Sequence, residues 1–521
     1  MARHEALTAN IVVDEDIKSY RVHVSSKYLD LTRRKLELTR LPHRAPEPRT
    51  DQWWEPRATV EPLLDFWLER FSWRNEEKEL NSKVPQFRTA IKTAASEVPI
   101  RLHFIHAQSP HARALPLLLI PPFPFSNLAL AHLVMLFTHP IEMNSQSFHM
   151  VMPSLPGLGF SDALPDRQDA IETIADMFDT LMRRLGYAKF LVTTAGASAY
   201  APARVDWRIA HYLACYYSTS CMGAHLVSPP LKAPSWTSPL EWVKWKAASL
   251  LRRPIFGYCR QDVDDWRKCR SRLSDKTRFP AQLSFGGQGA YEPNALAYAL
   301  CDSPLGLLLF FLMVIRGARP ARDLPSNELI KITELAWIPG PEGMMRLWAN
   351  CQSCTETGDR RRGKKPKVAI TVFQGAQGSS ETQHMASHGQ PWPLNDEFAC
   401  PGWARGHYDV VSSSRISGRP GLLAWERPQV IVAGTRGLAK AILTSFEHTA
   451  AAALEQVVVG RQVHHQEATR ASETTLLTTE ADEAASTSQA GAGLTAQGIS
   501  AQDDEELSEG SPDTVIAVQL G

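Results

Sequence analysis

The spacing of apolar positions along this 521-residue chain changes period several times, and each change predicts an element. "YLDLTRRKLELTRLP" places its leucines at helical spacing and meets a stop at Pro42. "EPLLDFWLERFSW" predicts a second helix, and "IRLHFIHAQSP" alternates as a half-buried strand does. A wound pattern then begins. "LPLLLIPP" is a short, wholly apolar run of the kind found in central parallel strands. "SFHMVMPSLPGLGFSD" predicts a strand ending in a Gly/Pro loop, and "AIETIADMFDTLMRRLGY" an amphipathic helix. "AKFLVTT" predicts a strand, "DWRIAHYLACYY" the start of a helix and "CMGAHLVSPP" another strand. Strands alternating with helices predict an α/β fold, a doubly wound, mostly parallel sheet with helices on both faces.

From about Leu231 to Lys365 the strand rhythm stops and tryptophan-bearing helical segments take over, which predicts a helical insert. "KPKVAITVFQGA" resumes the sheet and "RPQVIVAGTRGLAKAILTSF" predicts a closing helix. The expected organisation is an N-terminal domain over 1–110, the two halves of the α/β core over 111–230 and 366–448, and a helical lid over 231–365. Residues 449–521 are poor in large apolar side chains and end in "AQDDEELSEGSPD". Such a segment cannot bury enough surface to order itself, so a disordered tail is expected. No internal repeat is visible.

Composition narrows the class. An apolar share of 44% fits a folded chain with a large core. The net charge of +1 implies no general attraction to nucleic acid or to an anionic membrane. Eight cysteines between Cys215 and Cys400 lack the spacing of a disulfide framework, which fits a reduced, cytoplasmic setting. The N-terminal stretch has no signal-like apolar core, and "LGLLLFFLMVI" (Leu305–Ile315) is too short for a transmembrane helix, so a buried helix is expected there.

Several stretches, taken in order, resemble the microsomal-type epoxide hydrolases of the α/β-hydrolase superfamily. "LTRRKLELTRLP", "DFWLERFSWRNEEKELNSKVPQF" and "LHFIHAQSP" follow that family's N-terminal domain. "MPSLPGLGFSD" is similar to its PSLPGYGFS loop, "NALAYALCDSPLGL" to a lid segment, and "LLAWERPQVIV" to the stretch after its catalytic histidine. The resemblance runs from about Asp16 to Leu443 and implies an α/β-hydrolase fold with a helical lid. It also implies a mechanism. A carboxylate attacks the epoxide carbon to form an ester, and a histidine oriented by a second acid activates water to cleave it. Two lid tyrosines and an oxyanion hole stabilise the developing charge. No metal or other cofactor is implied.

Carried onto this chain, the resemblance puts Asp206 of "ARVDWRIAHYLA" at the nucleophile, where the family has GGDWG. Arg204 and Arg208 replace small flanking residues, and "AGASAYAPAR" makes the approach from the strand longer than the family needs. An aspartate here also reads as the N-cap of its helix, the reading the residues favour. Ser198 of "GASAY" echoes G-x-S-x-G without the second glycine and reads as loop. At the histidine of GGHFAALEEP stands Gly421, preceded by Arg419 and Pro420. Nearby His407 reads as structural. The orienting acid falls at Ala376, with Glu381 a few residues on. The lid tyrosines fall at Phe285 and Trp348, while Tyr291 and Tyr298 remain elsewhere in the lid. The HGWPGS loop reads "PPFPFS", so the oxyanion amides would come from Phe123 and Trp207.

Two functions remain open on this reading. One is an epoxide hydrolase working through an ester on Asp206, weakened or silenced by the replaced base, acid and tyrosines. The other is a non-catalytic relative that binds an apolar ligand or, through the acidic tail, a protein. "CQSC" (Cys351, Cys354) has half of a zinc spacing and no second half, and "RRRGKKPK" reads as an exposed connection.

Overall fold

The computed structural model describes residues 15–43, 57–93, 96–142, 145–165, 169–197, 204–236, 238–251, 253–274, 293–318, 320–353, 365–374 and 400–447. One nine-stranded sheet organises them. Its strands are β1 (Lys18–Ser19), β2 (Gln86–Thr93), β3 (Ser96–Ala107), β4 (Leu115–Ile120), β5 (Phe148–Pro153), β6 (Phe190–Thr194), β7 (Cys221–Val227), β8 (Lys367–Gln374) and β9 (Asp409–Ser417). The order is β1-β2-β3-β5-β4-β6-β7-β8-β9. Pairs from β1 to β3, and β3 with β5, are antiparallel; from β5 to β9 every pair is parallel. The apolar run of β4 sits at the centre, with Leu117 to Ile120 fully buried, because both faces are covered by helices. β9, at the edge, is half-exposed and carries three consecutive serines.

On this sheet the short α4 (Leu133–Thr138) leads into β5, and α5 (Ala170–Arg184) buries Ile171, Ile174, Met177, Phe178, Leu181 and Met182, one helical stripe, against the core. Next come α6 (Val205–Tyr216), which follows β6, and a closing helix over 428–447. The expected helical insert contains α7 (Pro239–Leu251), α8 (Arg260–Ser274), α9 (Pro293–Asp302), α10 (Pro304–Gly317), α11 (Ser326–Trp337) and α12 (Glu342–Ser353). α10 is the strongly apolar segment, and it buries Leu305, Leu307, Leu308, Phe310, Phe311 and Ile315 in the core. No single helix among the described residues is long and apolar enough to cross a membrane.

The N-terminal helices α1 (Ser26–Glu37), α2 (Arg57–Glu69) and α3 (Trp73–Lys83) are fastened to the lid by buried polar contacts. Trp67 Nε1 of α2 donates to Glu334 Oε1 of α11 at 2.9 Å, and Trp337 Nε1 donates to Thr32 Oγ1 of α1 at 2.8 Å. Asn327 Nδ2 donates to Glu76 Oε1 at 2.9 Å. Burial pushes the Glu334 carboxyl up to about 7, and the indole of Trp67 pulls it only partly back. The tail expected from 449 onward lies outside the described residues.

Candidate active site

The candidate nucleophile is set by the end of β6. After Thr194 the chain turns past Ala195, whose amide donates to Ile120 O at 3.1 Å, to Gly196. α6 then starts behind Arg204, which holds a φ of 51° in the left-handed region. Asp206 lies in the first turn and is fully buried. A Cβ on Gly196 would stand 3.0 Å from Asp206 Oδ2 and 2.7 Å from Pro122 Cβ. The carboxylate is therefore seated between the end of β6 and the loop after β4, a close approach that only glycine allows.

The N-cap reading of Asp206 is thereby corrected. Arg204 occupies the cap, and neither carboxylate oxygen has a hydrogen-bond partner among the described residues. Removal from water raises its pKa to about 7, and the nearby amides of Trp207 and Asp206 draw it only partly back. Near neutral pH the group is thus divided between a carboxylate free to attack and a neutral acid.

Aromatic side chains pack on the loop after β4 and along α6. Phe123, buried in the loop after β4, faces Trp348 of α12 with ring centroids 6.5 Å apart, and Phe310 of α10 stands 6.2 Å from the same indole. Trp207 stacks on His211 at 5.2 Å, and His211 Nδ1 lies 2.6 Å from the Tyr408 hydroxyl. Arg208 hydrogen-bonds the carbonyl of Cys351 and ties α6 to α12.

The ends of β8 and β9 are built differently. Gly421 has a φ of +59°, and a Cβ there would fall 1.9 Å from Glu426 Oε2. The Glu426 carboxylate occupies that space because three amides hold it: Leu422 at 2.8 Å, Ala321 at 2.6 Å and Arg322 at 3.2 Å. Asp262 of α8 is fully buried and accepts from Arg415 of β9 at 2.8 and 3.1 Å and from the Cys259 amide at 2.8 Å. Gln374, the last residue of β8, donates to Asp262 as well. A lid carboxylate thus pins the C-terminal ends of two sheet strands.

The imidazoles have other duties. His225 of β7 is fully buried, with Nδ1 and Nε2 each 3.0 Å from the hydroxyls of Thr193 and Thr371; burial pushes it down to about 3, so it stays neutral. His407 closes the 3-10 turn Pro401–Gly406, with its amide donating to Ala404 O at 2.9 Å. No histidine among the described residues hydrogen-bonds Asp206.

A sequence model of the epoxide hydrolase N terminus matches residues 17–130. A "Putative epoxide hydrolase" of Stigmatella aurantiaca is 28% identical over 338 residues, 62% of this chain and 66% of that protein. "Epoxide hydrolase 1" of Sus scrofa is 24% identical over 345 residues, 63% of this chain and 70% of that protein. The fold matches that of Aspergillus niger epoxide hydrolase with a TM-score of 0.61 at 18% identity, covering 82% of this chain and 97% of that one. It matches juvenile hormone epoxide hydrolase from Bombyx mori with a TM-score of 0.59 at 19% identity, covering 83% and 95%. The chain is thus similar in sequence to the epoxide hydrolases and in fold to two of their solved structures. Its sheet and helices form an α/β-hydrolase fold.

Pro122, which precedes Phe123, and Asp206, which precedes Trp207, both approach Gly196 at the end of β6, while Phe123 contacts Trp348. Gly421 lies against Glu426 instead. Ala376, Glu381, Phe285, Tyr291, Ser198 and Cys354 fall outside the described residues. Tyr298 projects from α9 with 81% exposure, and Cys351 is buried in α12. Asp262 and Glu426 escaped the sequence reading. Asp262 sits in the charged run "RQDVDDWRKC", which looks like a solvated helix face, and Glu426 is hidden inside the family's own "AWERP" motif.

Proposed function

We propose that this chain keeps the ligand-binding frame of the epoxide hydrolases, completes their reaction weakly or not at all, and acts chiefly by binding an apolar, epoxide-like ligand. The reading is carried by the base position. Gly421, in a left-handed backbone conformation, points its missing side chain at a carboxylate clamped by three amides, so an imidazole has no room there. Without a base, an ester formed on Asp206 would persist, because attack of water on it needs a proton acceptor. The aromatic packing of Trp348 against Phe123 supports an apolar ligand in place of tyrosine-assisted ring opening. A cytoplasmic setting and a protein partner reached through the acidic C-terminal segment complete this reading, on sequence grounds alone.

One observation favours a residual reaction. Asp206 is buried and under-bonded, the condition in which a carboxylate is most reactive once ionised. Its oxygen would bond to the epoxide carbon as the ring C–O bond breaks, the freed oxygen taking a proton from solvent. The amides of Phe123 and Trp207 remain the candidates to steady charge at the ester. Incubation with styrene oxide at pH 8, followed by diol assay and intact-protein mass spectrometry, tests both parts. The expected result is no multiple-turnover diol, with at most one ligand mass retained per chain and lost in Asp206→Asn. Sustained diol formation abolished by Asp206→Asn would overturn the proposal.

A further inference from the structure

Lid helix α7 has two apolar faces, and only one is packed. Trp245 and Ala248 are buried against Tyr258, Val263, Cys400 and Trp403 in a small core of their own. On the other side Leu240, Val243, Leu250 and Leu251 are 67, 55, 83 and 57% exposed. At helical spacing these four, with Ala247, fall within an arc of roughly 100°, turned away from the packed face. Lys244 and Lys246 fall at the two borders of that arc, and Lys246 Nζ lies 5.7 Å from the Trp242 ring.

Two further exposed aromatics lie in the segments that flank the helix. Trp236, 77% exposed, stacks on Trp242 at 4.3 Å. Phe256, 53% exposed, holds a φ of 54°, a conformation unfavourable for an aromatic residue, while its carbonyl accepts from Arg405. Six of the sixteen exposed large apolar side chains among the described residues thus fall between 236 and 256. Such a concentration in one short segment, four of the six on a single helix face, marks a contact surface and not scattered surface noise.

Charge selects the partner. The whole chain carries +1, yet 232–256 holds five cations (Lys232, Lys244, Lys246, Arg252, Arg253) against one acid, Glu241. Glu241 is itself paired with Lys244 at 2.7 Å. Two copies of this face would bring like charges together, whereas an anionic bilayer supplies both an apolar layer and the opposite charge. Exposed leucines, bordering lysines and flanking tryptophans are the arrangement of a helix lying in the plane of a membrane interface.

We propose that the lid helix α7, with Trp236 and Phe256, seats this protein peripherally on an anionic lipid surface. This stands whether or not Asp206 reacts. Flotation of the full chain with phosphatidylcholine vesicles, with and without about 30% phosphatidylserine, tests it. Recovery with the anionic vesicles only, falling as salt rises, is expected. Leu240→Ser/Val243→Ser/Leu250→Ser should weaken that binding about tenfold or more, since each removes apolar area from the interface. Its thermal unfolding should match the parent, because the three side chains face outward. Lys246→Gln/Arg253→Gln should weaken binding to anionic vesicles alone, and brominated lipid should quench the parent more than Trp236→Phe, which keeps the test open should the triple variant fail to fold. Absence of flotation, flotation unchanged in these variants, or a dimer dissolved by the triple variant without any vesicle binding would each overturn the proposal.

Discussion

The corner at the end of β6 and the corner at the ends of β8 and β9 treat buried acids in opposite ways. Asp206 is enclosed with neither oxygen hydrogen-bonded among the described residues, and its pKa is pushed up to about 7. Asp262, equally enclosed, is saturated by Arg415, Gln374 and the Cys259 amide. A buried carboxylate left short of partners costs stability and persists where reactivity or an absent ligand compensates. A saturated one is part of the frame. The comparison teaches that two corners of one sheet can hold buried acids in opposite ways: the first leaves an acid short of partners, and the second uses one as a clasp between α8 and the strand ends.

Four substitutions bear on this contrast. Asp262→Ala should lower stability most, by about 3–5 kcal/mol, because it strands Arg415 beside a dry carboxylate gap. Urea unfolding reads this directly, and a loss under about 1 kcal/mol would mean the clasp is ornamental. Gly421→Ala should cost about 2–3 kcal/mol, combining a left-handed backbone with a Cβ driven into the Glu426 carboxylate. By the same geometry Gly421→His should fold poorly and yield no diol, and catalysis regained by that single change would erase the difference between the corners.

Asp206→Asn should have the smallest effect, and the opposite sign. A raised folded-state pKa means the native protein holds a proton that the unfolded chain has released. The parent is therefore most stable below the ordinary carboxyl range and loses stability as pH climbs to about 7, with Glu334 contributing in the same direction. The asparagine variant should gain stability relative to the parent as pH rises from 5 to 8.5. A parent stability that rises across that range would place Asp206 among hydrogen-bonded carboxylates.

Much of the fold can be read from the chain because its central elements obey one period each. "LPLLLI" has no polar residue to confuse it, and α5 repeats its apolar stripe through four turns. The edges resist. β9 spells "DVVSSSRIS", since a strand exposed along one side needs few apolar residues, and β2, "QFRTAIKT", is masked by the helices before it. At the site, Asp206 is found by its place before "WRIAHYLA", but its burial depends on Gly196 and Pro122, which approach it only in three dimensions. The long connection that argued against it as a nucleophile still returns it to the end of β6. Asp262 and Arg415 lie 153 positions apart, and no local pattern announces such a pair.

The indole bonds from Trp67 and Trp337 bear on how the molecule can be dissected. A shortened chain beginning at the sheet would strip α1 and α2 from α11 and bare a buried acid, an aromatic face and two orphaned polar groups at once. The first eighty residues therefore work as a scaffold shared with the lid, and excising them to simplify the protein would trade a tractable fold for an aggregating one.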